Sequence, residues 1–290
     1  MNGVVVLDKP AGLSSAQALA PLKSTVGRRV KVGHAGTLDP FATGVLLALV
    51  GDATRLSNLA MALPKTYFAT VRFGRQTDTL DPMGTVVAET DPGSAAPAGL
   101  ADALRAFHGT IEQVPPAYSA LKVDGRRAYK LARAGAAPAL AARAVTVHAT
   151  AVVDVRWPCV DVEIRSGAGF YVRSFARDWG ALLDLPASLD ALRRTAIGPF
   201  TDGVAPADAD PARALPAAMI VRAADVPQVT VSRADALRFA VGRDLDAPAG
   251  ATGSVALFAG PMLVGLGEVE GTRLRPRSVF SVARRDLEAG

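Results

Sequence analysis

Residues 28–47 read RRVKVGHAGTLDPFATGVLL. Gly33, Gly36 and Pro40 bracket His34 and Asp39, and Arg28, Arg29 and Lys31 stand just before them. Glycine permits unusual backbone angles and lets another chain or ligand approach closely. The apolar run after Ala42 reads as a helix or a buried strand that anchors the loop. A polar loop fixed to an apolar element is where reactive groups are displayed. Two readings of Asp39 follow from the local residues. It caps a helix whose first residue is Pro40, the commoner arrangement, or it is a reactive carboxylate in basic surroundings. The loop has neither Walker nor GxGxxG spacing, so it is not a nucleotide cradle.

Outward from this loop, helices and strands alternate without a regular βαβ rhythm. GVVVL (3–7) reads as a short buried strand, and Ser14 or Ser15 caps a helix running to about Ser24. YFATVRF (67–73) reads as a strand, and TVVAE follows the turn signal Asp81-Pro82-Met83-Gly84 as another. Leu100, Leu104 and Phe107 have helical spacing over 97–107. AVVDVRW and VDVEIR read as two strands. A helix is expected from about Tyr171 to Leu183, and a second capped by Ser188 and ending near Ile197-Gly198-Pro199. From Val204 to Pro216 the composition turns to Ala, Pro and Asp, leading towards a domain boundary. A short helix with a Ser232 cap and a Gly242 stop follows, then strands and a basic tail. This grouping predicts an α+β fold with a mixed, mostly antiparallel sheet flanked by helices, followed by a small β-rich module.

The chain has 290 residues, half of them apolar and a fifth charged, with net charge +5. That excludes a disordered chain and suits one large domain or two. No stretch reaches the roughly 18–20 apolar residues of a membrane helix, and MNGVVVLDKP does not read as a signal peptide. The single cysteine, Cys159, makes no internal disulfide and reads as a buried thiol. His34, His108 and His148 lack metal-ligand spacing.

Between Lys122 and Arg143 lie six basic residues and one acid, Asp124, with Tyr118 and Tyr129 nearby. A solvated helix face explains this as well as a phosphate-tracking arm. Arg28, Arg29 and Lys31 form a second basic cluster beside the glycine-rich loop, which favours nucleic acid. In GAGFYVRSFARDWG (167–180) aromatics and arginines alternate, and Arg173 and Arg177 share a helix face.

Together these stretches resemble the TruB family of pseudouridine synthases, which convert uridine 55 of tRNA to pseudouridine. GVVVLDKPAGLSS resembles the first family motif and VGHAGTLDPFATGVL the catalytic one, with Asp39 at the family's aspartate. LPKTYFATVRFGRQTDTLDPMG resembles the segment of the active-site tyrosine, here Tyr67. VPPAYSALKVDGRRAYKLAR resembles the start of an RNA-gripping insertion, GFYVRSFARDWG the motif of the active-site arginine, here Arg173, and LRRTAIGPF a further family segment. Six motifs stand in family order.

The resemblance implies a pseudouridine synthase domain over 1–224, with an RNA-gripping insertion at about 118–145. It implies a PUA-like RNA-binding domain over 225–290. The reaction is an isomerisation, so no cofactor and no metal is expected. One carboxylate suffices, and three routes stay open for Asp39: a covalent adduct at the sugar, attack on the base, or removal of the C2′ proton. Arg173 beside it would favour its ionised form. Tyr67 would stack on the target base and take the C5 proton. His34 would brace the space left by the flipped nucleotide, and Tyr171 and Leu192 would contact it. Lys122, Arg126, Arg127 and Lys130 would grip the T stem-loop of tRNA. The family implies a cytoplasmic monomer without a protein partner. Two other classes compete: a non-catalytic tRNA-binding or tRNA-folding protein on the same scaffold, and a glycosidase-like hydrolase. The hydrolase needs a second acid, which GHAGTLDPFATG lacks.

Overall fold

The structure, a computed structural model, describes residues 2–119, 121–123, 126–127, 131, 140–281 and 287. The chain begins with β1 (Gly3–Lys9), then the short helices α1 (Ser15–Ala18) and α2 (Ala20–Val26), β2 (Val32–Ala35) and β3 (Thr43–Val50). Helix α3 (Ser57–Ala62), β4 (Lys65–Phe73) and the ribbon β5 (Arg75–Thr77) with β6 (Val86–Glu89) follow. Next come β7 (Gly109–Gln113), the small ribbon β8 (Lys122–Val123) with β9 (Arg126–Arg127), β10 (Arg143–Arg156) and β11 (Cys159–Ser166). Helix α4 (Val172–Ala181) and β12 (Ala187–Ile197) complete the first sheet. Beyond them are α5 (Ala218–Ala223), β13 (Gln228–Thr230), α6 (Arg233–Ala240), β14 (Leu245–Asp246), β15 (Gly253–Ala259), β16 (Met262–Glu270) and β17 (Arg273–Val279).

The large sheet runs β1-β3-β12-β4-β11-β10-β7, with β2 also on β3, and only β12 and β3 pair in parallel. The second sheet runs β13-β15-β16-β17-β14. The expected α+β architecture with a mostly antiparallel sheet and a β-rich C-terminal module is what the chain forms. β3 settles the helix-or-strand ambiguity of its apolar run. It is bonded to β1 on one edge and to β2 and β12 on the other. It is buried along nearly its whole length, as a strand covered on both faces must be.

Strand β4 alternates between buried and half-buried positions, so Lys65, Tyr67, Ala69, Val71 and Phe73 share one face. Helix α4 packs on that face through Phe175 and Trp179, whose ring meets Phe73 edge-on at 5.1 Å. Fixing α4 there fixes Arg173 near its start. A second apolar cluster joins Leu47, Leu49 and Ile197 of the large sheet with α5 and with Phe239, Phe258 and Leu274 of the C-terminal module. Ser281 Oγ also donates to Asp52 Oδ2 at 2.9 Å.

Several local expectations change. Residues 187–197 form strand β12, not a helix capped by Ser188. Two bulges, between Leu189 and Ala191 and between Arg194 and Ala196, interrupt its pairing with β4. An inserted residue breaks the two-residue alternation, leaving Leu189 and Leu192 at a helix-like spacing of three. Residues 102–107 form a 3-10 turn rather than an α-helix. The expected first helix splits at Leu19, where α2 starts anew with a proline in its first turn. The Ala/Pro/Asp stretch runs beside β1 on its way to the C-terminal module. Val204 and Leu215 bond to β1, with Leu215 N–H donating to Val4 O at 2.7 Å. Cys159 is half-buried at the start of β11 rather than enclosed.

Candidate active site

Asp39 lies in the loop between β2 and β3, and no helix follows Pro40, so the cap reading falls. Instead the loop is held at five consecutive carbonyls. Arg194 Nη2 donates to Gly36 O at 3.0 Å and Nη1 to Thr37 O at 3.4 Å. Ser15 Oγ donates to Leu38 O at 3.0 Å and receives the Leu38 N–H at 2.8 Å. The Ala42 N–H reaches Asp39 O at 3.1 Å, and the Gly12 N–H reaches Pro40 O at 2.8 Å. Lys9 Nζ adds a bond to Pro40 O at 3.3 Å and also donates to Pro10 O and Leu13 O. A carboxylate on so braced a loop loses little freedom when a substrate arrives, which is what preorganised chemistry asks for.

Arg173 comes to Asp39 from α4. Its Nε lies 2.9 Å from Asp39 Oδ2, and its Nη2 donates to Asp39 Oδ1 at 3.2 Å. The guanidinium is 5% exposed and spends its other donors on Thr79 O at 3.0 Å and Tyr118 O at 2.9 Å. A buried arginine must be paired this fully to be tolerated. A third party is Asp81, 3.7 Å from Arg173 Nη1. So a second acid does stand nearby, delivered by the DTLDPMG turn. Its Oδ1 accepts from Thr79 Oγ1 at 2.6 Å and from the Met83 N–H at 3.0 Å, which leaves Oδ2 as the oxygen turned toward Arg173.

Asp39, Tyr67, Tyr171, Arg173, Leu192 and Arg194 line one cavity of about 370 Å³. Tyr67 is contributed by β4, Leu192 and Arg194 by β12, and Gly167–Tyr171 by the turn before α4. Asp39 keeps a third of its side chain open to this space. Gly44 brings β12 close, since a Cβ there would sit 2.1 Å from Arg194 O. Arg194 is thereby buried against the loop, with its Nε on Val45 O at 2.8 Å.

Burial pushes the Asp39 carboxyl above the ordinary carboxylate range, Arg173 works against that, and Asp81 adds to it. Burial likewise raises Tyr67, opposed by the charge and hydrogen bond of Arg194. Burial pulls Lys9 and Lys65 down to about 8 each, with Arg194 adding to the effect on both. Lys65 Nζ donates to Leu63 O at 2.6 Å and to Met61 O, at the end of α3.

Other expected residues are placed differently. His34, on β2, is not among the residues lining the cavity, and its imidazole is pushed down by burial and by Arg194. Arg28, Arg29 and Lys31 are exposed. Lys122, Arg126 and Arg127 fall on the β8–β9 ribbon, and Lys130 lies outside the described residues. Lys9, Lys65, Asp81 and Arg194 were not singled out from sequence, although all four sit inside the quoted motifs, in LDKP, LPKTY, TLDPMG and LRRTA. Among the described residues no group of three His, Cys, Asp or Glu could hold a metal ion. No described helix is long and apolar enough to cross a membrane.

Residues 23–172 match the family described as "TruB family pseudouridylate synthase (N terminal domain)". The protein named tRNA pseudouridine synthase B of Azoarcus sp. (strain BH72) is 39% identical over 289 residues, covering 97% of this chain and 95% of the relative. Its namesake in Thermobifida fusca (strain YX) is 42% identical over 269 residues, covering 89% and 91%. Among solved structures, a chain of a Cbf5-Nop10-Gar1 complex superposes with a TM-score of 0.72 at 24% identity, covering 96% of this chain and 84% of that one. The structural likeness speaks for the fold. The sequence likeness over nearly the full length shows that this chain is an enzyme belonging to the TruB family of pseudouridine synthases.

Proposed function

We propose that the chain isomerises uridine 55 in the T-loop of tRNA to pseudouridine, with Asp39 as the catalytic carboxylate. The observation that carries this reading is the Asp39–Arg173 pair, met at both carboxylate oxygens and braced from both sides, in a cavity with Tyr67 and Leu192. The relatives' name supplies the RNA class. In the reaction the N1–C1′ bond of uridine breaks and a C5–C1′ bond forms. C5 then gives up its proton and N1 takes one, so nothing is oxidised or reduced.

In this reading the target nucleotide leaves its loop and enters the cavity, because the base cannot turn while stacked. Asp39 engages it in ionised form, and Arg173 supplies the charge that keeps it ionised despite burial. Tyr67 stacks on the base. Its hydroxyl, raised by burial, accepts the C5 proton only if Arg194 stabilises the phenolate. Leu192 and Tyr171 complete the contacts, and His34 braces the vacated position in the RNA. Lys122, Arg126, Arg127 and Lys130 hold the T stem-loop backbone. We assign residues 1–224 to the catalytic domain and 225–290 to a PUA-like RNA-binding domain of a cytoplasmic monomer that needs no cofactor.

The test is tritium release from C5-labelled uridine in a T-arm stem-loop. The wild type should release tritium, and Asp39→Asn should not, while still binding the RNA. Release by Asp39→Asn at the wild-type rate would overturn the assignment.

A further inference from the structure

The segment from Gln113, the last residue of β7, to Tyr118 is tied repeatedly to the start of α4. Gln113 Nε2 donates to Tyr171 O at 3.1 Å, and the Tyr171 N–H donates to Gln113 Oε1 at 2.8 Å. Ser174 Oγ and Arg177 Nη2 both donate to Val114 O, at 2.8 and 3.0 Å. Arg173 itself donates to Tyr118 O at 2.9 Å. Gln113 is 1% exposed, so its amide had to find partners inside the protein. It finds both on the backbone of a single residue.

The geometry assigns Gln113 as a positioning residue for the reaction centre: its side-chain amide grips the backbone of Tyr171, two residues before Arg173, and so sets where the guanidinium meets the Asp39 carboxylate. This rests on the reading of Asp39 as the catalytic carboxylate. Tyr171 is the N-cap residue of α4, and its side chain makes no cap. A helix opened by Ser or Asp fixes its own start, whereas this one has its start fixed from β7. Gln113 does not line the cavity, so it touches no reacting atom. Its effect passes through the 2.9 Å approach of Arg173 to Asp39. A displacement of about 1 Å in such a pair can cost about a hundredfold in rate.

A buried glutamine could equally serve stability alone, and the titration of Asp39 separates the two roles. The charged and titratable groups facing that carboxylate are Arg173 from α4, Asp81 from the turn after β5, Lys9 from β1, Tyr67 from β4, Tyr171 from the turn before α4 and Arg194 from β12. Of these, Gln113 holds Tyr171 directly and Arg173 through the start of its helix, and Arg173 is the cation of the two. Withdrawing its charge leaves burial less opposed, so the Asp39 carboxyl should titrate at higher pH. A merely structural residue would not move it.

The experiment compares wild type with Gln113→Leu, which removes both bonds at similar volume. Ser174→Ala, which removes another bond between the same segments, takes its place if the leucine variant does not fold. Two readouts are taken: the Asp39 carboxyl titration by carbon-13 NMR, identified with Asp39→Asn, and kcat and KM on the T-arm stem-loop. The expected result is an upward shift of the carboxyl and a kcat lower by about ten- to a hundredfold, with KM within about twofold. A folded variant with an unchanged titration and unchanged kcat would overturn the inference, whatever its Tm. If the wild type fails to turn over the RNA, the proposed function fails, yet the titration still decides the role of Gln113.

Discussion

The Nε of Arg173 stands 2.9 Å from Asp39 Oδ2, joining residues 134 positions apart through a helix and a loop that share no sequence neighbourhood. The arginine is almost wholly enclosed while the carboxylate remains a third open. The asymmetry fits a charge that holds and a charge that acts. Arg173→Lys would keep the cation but lose the planar fork that serves Asp39, Thr79 O and Tyr118 O together. Turnover of the stem-loop should fall by about a hundredfold, with RNA affinity near that of wild type in a filter-binding assay. Wild-type kcat in this variant would reduce Arg173 to a simple countercharge.

In the proposed reaction Asp39 works in its ionised form, and burial has raised its carboxyl. For an acid with a raised value, the ionised fraction is lost as pH falls through that value. Single-turnover rates should therefore decline on acidification already above the ordinary carboxylate range near 4. A rate that stays flat down to pH 4, with the fold intact by circular dichroism, would contradict the burial argument.

Lys9 and Lys65 carry a different pH signature. Both are enclosed amines brought down to about 8 in the folded chain, against about 10.5 in an open one. Between those values the unfolded chain binds the protons and the folded chain does not, so stability rises with pH in this window. Below about 8 both states are protonated and the contribution is flat. Tm measured from pH 8 to 9.5 should fall more steeply with pH in Lys65→Met than in wild type, because the variant lacks one rising contribution. Equal slopes would mean that the amine is not desolvated.

Much of this site is legible in the sequence. Asp39, Tyr67 and Arg173 each stand in a motif whose order along the chain matches the family, and the structure gathers them around one cavity. Their supports are harder to see, for a physical reason. Lys9 and Arg194 bond almost entirely to backbone carbonyls, and a carbonyl leaves no trace in the sequence. Asp81 is visible only as a turn residue, since nothing local says that the turn folds back on Arg173. β12 misleads because its bulges replace strand periodicity with helical spacing. The cap reading of Asp39-Pro40 fails because the run behind it joins a sheet, and that choice rests on the partners β1, β2 and β12 rather than on the run.

The ribbon β8–β9 and its surroundings carry the basic cluster proposed to hold phosphates. Changing Arg126 and Arg127 together to Ala should weaken stem-loop binding and lower the salt slope by about one for each phosphate no longer neutralised. The chemical step at saturating RNA should be unchanged, because in this reading both arginines hold phosphates and neither meets the reacting base. Affinities measured from 50 to 200 mM salt test this, and an unchanged slope would remove both arginines from the interface.

Gly44 offers a test of how β12 is brought to the loop. Its φ is +104°, a region that L side chains rarely adopt, and a Cβ would lie 2.1 Å from Arg194 O. This is backbone against backbone, so no side-chain rotation can relieve it. The clash falls where Arg193 and Arg194 pair with Thr43 and Gly44, the one parallel register of the large sheet. Gly44→Ala should thus destabilise the fold by about 3 kcal/mol or more, measured by urea unfolding. What remains folded should have lost activity too, since Arg194 would draw away from the Gly36 and Thr37 carbonyls that brace Asp39. Gly33→Ala is the control, because its φ is ordinary and its nearest neighbour is the Thr54 methyl at 3.9 Å. It should leave stability within about 0.5–1 kcal/mol of wild type. Similar losses in the two variants would show that loop rigidity in general, and not the approach of β12, is what Gly44 protects.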